Sequence, residues 1–213
     1  MRITELTIEA RRSKGAARPI RDALQSLPGS GSVHVTARSE DGVEGHGSSG
    51  FGRIAGAPDA LAAVVEHELK PLVVGSDLTM IRATHERMLR ETEYHGSGGL
   101  TTFGIAAVDT ALWDCYGRTM DVPCWHLWGG VRSDAPAYAM VGWLNYDDRE
   151  VQEICAKAVS QGFRAVKVKV GYATLAEDIH RIEAVRSAVG SDTTIMVDAN
   201  QSLSTAEALV RGR

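Results

Sequence analysis

The sequence predicts two successive architectures: a small α+β domain built from an antiparallel meander and three helices, then the opening βα units of a parallel sheet. Three observations carry this reading. Short alternating segments and a tight-turn dipeptide crowd the N-terminus, apolar stripes at helical spacing follow, and from about Ala135 strand-like and helix-like patterns alternate.

Arg2 to Ala10 alternates as a half-buried strand, and Val33 to Ala37 does so again. Asp41-Gly42 is a turn dipeptide leading into a third strand near Val43. After the glycine-rich stretch from Gly45 to Gly56, Pro58-Asp59 opens a helix that runs through about Val73. Asp77 caps a second helix ending before the Gly96 to Gly99 cluster, and a third spans about Thr102 to Thr119. In the third, Ile105, Val108, Leu112 and Tyr116 form a buried stripe. Beyond it, Ala135 to Val141 reads as a strand, Asp148 to Ser160 as a helix, Ala165 to Val170 as a strand, Thr174 to Val189 as a helix and Thr194 to Val197 as a strand, with a new helix beginning near Thr205. Repeated βαβ units imply parallel strands with right-handed crossovers. Three such strands leave sheet faces and an edge that need cover, so the chain is expected to be truncated.

Composition narrows the function classes. The 213 residues, 44% hydrophobic and 23% charged, fall in the ordinary globular range. The net charge of −4 comes from interleaved acids and bases, which argues against a nucleic-acid or membrane-surface partner and for a small molecule. Cys115, Cys124 and Cys155 are widely spaced, without a CxxC pair, so neither a disulfide framework nor a zinc site is indicated. Met1 to Arg12 lacks the apolar run of a signal peptide, and the expected location is cytoplasmic.

The sharpest local signal is Val166-Lys167-Val168-Lys169-Val170, where two lysines spaced by two in an apolar strand point to one side of the sheet. Side-by-side ammonium groups in a partly dry site would lower a lysine pKa from its usual ~10.4, so that one could act as a base. The alternative is an edge strand with two solvated lysines. The next strand ends Ile195-Met196-Val197-Asp198 and continues Ala199-Asn200, so Asp198 and Asn200 are expected to share a face. Asp198 is placed to bind a hard cation such as Mg²⁺, or simply to cap a turn. Elsewhere, Glu91 with His95 reads as a surface contact, His180 as a solvated side chain, and the Gly96 to Gly99 cluster lacks the setting of a phosphate loop.

The run from Gly162-Phe163-Arg164-Ala165 through the lysines to Gly171-Tyr172, then Val185-Arg186, Ala188-Val189-Gly190 and Ile195 to Ser202, resembles the mandelate racemase subgroup of the enolase superfamily. Upstream, Ala106 to Asp114, Gly117, Pro123 and Leu127-Trp128-Gly129-Gly130 resemble the end of that family's capping domain and its link into the barrel. The resemblance implies an enolase-like N-terminal capping domain over residues 1–128 and the start of a TIM (β/α) barrel over 129–213, truncated after its third strand. It implies Lys169 as the base that removes the proton α to a substrate carboxylate, and Lys167 as the neighbour that tunes it and holds that carboxylate. It also implies Asp198 as the first of three acidic Mg²⁺ ligands and Asn200 as a residue beside metal and substrate. Two acidic ligands and an opposing base lie outside the 213 residues, so this chain alone is expected to be inactive.

In relatives the capping domain chooses the substrate through two loops, matched here by about Ser13 to Arg21 and Gly45 to Arg53. Arg18, Arg21, His46 or Arg53 could contact an anionic or hydroxylated substrate, or be ordinary surface charge. The expected ligand is a small-molecule carboxylate, and relatives imply a homo-oligomer. Three functions stay open: a sugar-acid dehydratase, a racemase or epimerase of a 2-hydroxy acid, and a noncatalytic truncated or degenerate product.

Overall fold

A computed structural model of the protein describes residues 1–13, 17–27, 29–50, 56–96 and 98–212. Backbone contacts divide the chain into two units: Met1–Gly15 with Gly29–Ser133, and Ala16–Pro28 with Asp134–Arg213. Strand β1 (Ile3–Arg12) is followed by a small hairpin, β2 (Ile20–Arg21) and β3 (Ser26–Leu27), and then by β4 (Gly31–Ser39) and β5 (Glu44–Ser49). The hairpin strands pair only with each other and belong to the second unit.

In the first unit β1, β4 and β5 form an antiparallel sheet in that order, as the alternation predicts. Its inner face buries Ile3, Leu6, Val33, Val35 and Ala37. The helix predicted from Pro58 to Val73 is α1 (Ala57–Val64), a π-turn (Val65–Leu69) and α2 (Lys70–Val73) end to end. Pro71 accounts for the interruption: it lacks an N–H and its ring displaces the carbonyl four residues back, and widening the ladder by one residue accommodates both. Asp77 caps a 3₁₀ turn (Leu78–Met80), accepting the Thr79 N–H at 2.9 Å, and α3 (Ile81–Glu91) follows. Helix α4 (Leu100–Met120) buries Ile105, Val108 and Leu112, with Tyr116 packed partly against the same core. A short α5 (Cys124–Leu127) closes this unit's helices.

Residues 45–49 of the glycine-rich stretch read as a substrate loop are strand. Gly45 and Gly47 lie on the buried side of β5, directly against α4. A Cβ on Gly45 would fall 2.1 Å from Cys115 N, and one on Gly47 would fall 2.0 Å from Ala107 O. Gly-x-Gly here faces Ala107, Ala111 and Cys115, small residues one helical turn apart, so two backbones meet with no side chain between them.

In the second unit β6 (Ala139–Met140), α6 (Asp148–Ser160), β7 (Ala165–Lys169), α7 (Leu175–Val189), β8 (Thr194–Asp198) and α8 (Thr205–Arg211) alternate as predicted. The strands are parallel in the order β6-β7-β8. The predicted strand at 135–141 shortens to two residues, in keeping with Pro136, which has no N–H to give a ladder. Each helix starts on a capping box: Asp147 with Glu150, Thr174 with Glu177, Ser204 with Glu207. Behind the sheet lie Val151, Cys155, Ala158, Val166, Val168, Val185 and Val189. Among the described residues no helix is long and apolar enough to cross a membrane, and Cys115, Cys124 and Cys155 are free thiols.

Candidate active site at the ends of two parallel strands

Strand β7 runs between β6 and β8, so the edge-strand alternative for the lysine pair does not hold. Val166 and Val168 are fully buried on one face, which forces Lys167 and Lys169 onto the other. Parallel register sets Lys169 beside Asp198 at the strand ends. Lys169 Nζ donates to Asp198 Oδ2 at 2.8 Å, and Lys167 Nζ lies 3.5 Å from the same oxygen. Lys169 keeps only 6% of its side chain exposed, against 19% for Lys167. Its ammonium is buried, and its charge is answered by one carboxylate.

Two aromatic walls accompany the lysines, and the sequence reading singled out neither. Lys167 Nζ donates to Tyr138 Oη at 3.1 Å and lies 5.0 Å from that ring's centroid. Lys169 Nζ lies 4.9 Å from the Trp143 ring centroid. Tyr138 immediately precedes β6 and Trp143 lies just past its end. A period-two reading of the predicted 135–141 strand places Tyr138 on one face but says nothing of the turn that aims Trp143.

Electrostatics corrects one expectation. Lys167 is held above the ordinary lysine range, first by its hydrogen bond to the Tyr138 hydroxyl, which together with the smaller pull of the Tyr138 and Asp198 charges outweighs the opposing effect of burial. The expectation that a neighbouring ammonium lowers a lysine pKa neglected these acceptors at Lys167. Burial pushes Asp198 upward, but the Lys169 hydrogen bond, the Asn200 N–H and both ammonium charges together hold it below the ordinary aspartate value.

Asn200 is near Asp198, but not as a strand neighbour. The chain turns at once, with Asn200 at φ 48° and Gln201 at φ 63°, so face alternation stops at Asp198. Asn200 N–H donates to Asp198 Oδ1 at 2.9 Å, and its own side-chain Oδ1 is buried with no partner among the described residues. Asp198 fits one ligand position of a hard cation, and the orphaned Asn200 oxygen is the kind of group such a site uses. Among the described residues no three His, Cys, Asp or Glu side chains gather as a metal cage.

The other candidates separate. Arg18 is engaged by protein: it pairs with Glu150, donates to the Asn145 carbonyl and lies 5.1 Å from the Tyr146 ring centroid. Its hydrogen bond, followed by the Asp147 backbone N–H, holds Glu150 down at about 2. Arg21 engages Asn145 and Leu144 through its backbone. His46 lies in the first unit on the outer face of β5, beside Thr36 Oγ1 at 3.2 Å, and Arg53 lies outside the described residues. His95 pairs with Glu68 and Glu91 with Arg90, both exposed, so the two make separate surface contacts. His180 is largely exposed and contacts Asp148 at 2.8 Å.

Residues 4–129 match the family described as Mandelate racemase / muconate lactonizing enzyme, N-terminal domain, and residues 150–213 match Enolase C-terminal domain-like. The chain belongs to the mandelate racemase/muconate lactonizing enzyme family. It is 36% identical over 183 residues to the arabinonate dehydratase of Saccharolobus solfataricus, covering 85% of this chain and 48% of that enzyme. The structure matches a racemase from Streptomyces coelicolor A3(2) with bound magnesium at a TM-score of 0.92 and 30% identity, covering 99% of this chain and 58% of that one. It also matches L-talarate/galactarate dehydratase from Salmonella typhimurium LT2, liganded with Mg and L-lyxarohydroxamate, at a TM-score of 0.90 and 29% identity, covering 100% and 55%. The chain spans about half the length of the curated relatives it matches. Proteins similar to this chain thus include sugar-acid dehydratases and a racemase, and the fold here is the family's capping domain followed by parallel strand-helix units.

Proposed function

We propose that these residues belong to a magnesium-dependent enzyme that removes the proton α to a carboxylate, and that its reaction is dehydration of a sugar acid. The observation that carries the reading is the convergence of Lys167, Lys169 and Asp198 on one point at adjacent strand ends, with Lys169 nearly buried. In the amine form, Lys169 Nζ takes the α-proton. Lys167, outside it and more exposed, pairs with the substrate carboxylate, and Asn200 offers its side-chain oxygen beside Asp198. A magnesium ion held in part by Asp198 would stabilise the negative charge that builds on the carboxylate as the proton leaves. With a proton supplied by a general acid, the β-hydroxyl then leaves as water and completes dehydration.

Dehydration is favoured because the arabinonate and talarate/galactarate dehydratases are among the relatives. The likeness to a racemase keeps a second reading open, in which Lys169 serves one face of a 2-hydroxy acid and a base beyond residue 213 serves the other. The domain division at residue 128/129 and a homo-oligomeric state are part of the same proposal.

The deciding experiment reads the coding sequence past the codon for Arg213, then assays the protein it encodes with Mg²⁺ against a panel of sugar acids. Dehydration lost in Lys169→Met supports the first reading, and racemisation without water loss supports the second. A continuation lacking further acidic ligands, or full activity in Lys169→Met, would refute both.

A further inference from the structure

The hairpin segment 17–27 folds onto the second unit through contacts concentrated on one residue. Asn145 Oδ1 accepts the Arg21 N–H at 3.0 Å while its Nδ2 donates to the Pro19 carbonyl at 2.8 Å, so a single side chain reproduces two rungs of a β-ladder. Beside it the Leu144 N–H donates to the Arg21 carbonyl at 2.9 Å. Arg18 reaches the Asn145 carbonyl and Glu150. At the far end Ala23 closes on Gly171, two residues past Lys169, where an added Cβ would fall 2.6 Å from the Ala23 Cβ. Asp22, buried, ties the hairpin turn through the N–H groups of Leu24 and Gln25.

The turn that receives this segment also carries Trp143. From below, Arg181, which is 2% exposed, donates to the Trp143 and Tyr146 carbonyls at 2.6 Å each. The turn is therefore gripped from one side by Arg181 and from the other by the hairpin through Asn145, and the indole it carries lies against Lys169 Nζ. The hairpin grip is the weaker: beyond the Ala23–Gly171 contact it consists of hydrogen bonds and an exposed ion pair, with Leu24 left 41% exposed, so it opens at a lower free energy than the core behind the sheet.

We propose that Asn145 is a positioning residue that couples docking of segment 17–27 to the placement of Trp143 against Lys169. Its importance for catalysis rests on the reading of Lys169 as a base, but the coupling itself is a property of the ligand-free chain and is tested there. The bond after Arg21 is a trypsin site inside the docked hairpin, whereas the Arg18–Pro19 bond resists the enzyme. The Trp143 indole N–H is a reporter in a ¹⁵N–¹H spectrum, assigned by its disappearance in Trp143→Phe.

Asn145→Ala is expected to raise nicking after Arg21 by about 10-fold or more, as loss of two hydrogen bonds populates the open form. It is also expected to shift or broaden the Trp143 indole signal while the other indole signals stay in place. Asn145→Asp keeps the acceptor for Arg21 and loses the donor to Pro19, so both changes should be intermediate; it decides the matter if the alanine variant does not fold. Faster nicking with an unmoved indole overturns the coupling, and unchanged nicking overturns the clamp. Either result leaves the proposed reaction standing, whereas an inactive encoded enzyme with both signatures present would sink the reaction and not the clamp.

Discussion

The contact between β5 and α4 yields the sharpest stability prediction, Gly47→Ala. The new Cβ would meet Ala107 O at 2.0 Å and Ala111 N at 2.6 Å, where ordinary contact begins at 3.4 Å. Both obstacles are helix backbone, so no side chain can swing aside, and strand and helix must part by over about 1 Å in a close-packed interior. Overpacking of this kind costs about 1–3 kcal/mol, and the absence of a movable neighbour puts Gly47→Ala at the upper end. The lower entropy of an unfolded alanine chain returns only ~0.4–1 kcal/mol. A net loss of about 2–2.6 kcal/mol is expected, a large share of a typical domain's ~5–15 kcal/mol. Urea unfolding followed by circular dichroism measures it, with Gly56→Ala as control, because Gly56 has φ −84° and nothing within 4 Å of its Cβ position. If Gly47→Ala unfolds at the same midpoint as Gly56→Ala, the close approach of β5 to α4 is wrong.

Four further expectations follow from the second unit and the cysteines. The 213-residue chain supplied with Mg²⁺ and a sugar-acid panel should show no turnover, and measurable product would contradict the view that Asp198 needs ligands from beyond residue 213. In an active protein containing these residues, Lys169→Met should lower kcat by about 10²–10⁴-fold, and a loss under tenfold would remove Lys169 from the role of base. Arg18 holds Glu150 at about 2, below its ordinary value, so their pairing persists through the usual carboxylate range and is lost only as pH falls toward 2. A carboxyl ¹³C titration should show that midpoint, and Arg18→Ala should return it toward ~4.3. Burial pushes the Cys155 thiol up to about 11 and raises Cys115 and Cys124 as well, but only Cys124 is partly exposed, so a thiol reagent at pH 8 should label Cys124 first, and early labelling of Cys155 would contradict its burial.

Much of this fold was legible in the sequence because it rests on local rules. Three of the helices also carry a local signature that the reading of their periodicity did not use: Asp147, Thr174 and Ser204 each stand three residues before a glutamate, and the helices begin there. The alternation of β1 and β4 survived because one face of their sheet is buried, and period two is what such burial imposes. β5 was expected near Val43 but not as far as Ser49, for the same physical reason in reverse. Its inward positions are glycines, so the apolar half of the alternation is absent from the sequence, and the burial is visible only once α4 lies upon it.

The candidate site divides along the same line. Lys167, Lys169 and Asp198 could be placed together because parallel register and period two are arithmetic, and neighbouring strand ends in one sheet bring Lys169 and Asp198 side by side. Asn200 fails that arithmetic by two residues, since a left-handed turn ends the strand at Asp198 and brings a backbone N–H, rather than a side chain, to the carboxylate. Trp143 and Asn145 sit on a turn whose shape is set by Arg181, 38 residues from Trp143 along the chain, and by the hairpin on its other side. Lys169 is therefore placed by a strand, while its aromatic cover is placed by a turn held between two distant segments. Changes to that turn should alter the environment of Lys169 without touching the register that puts Lys169 beside Asp198.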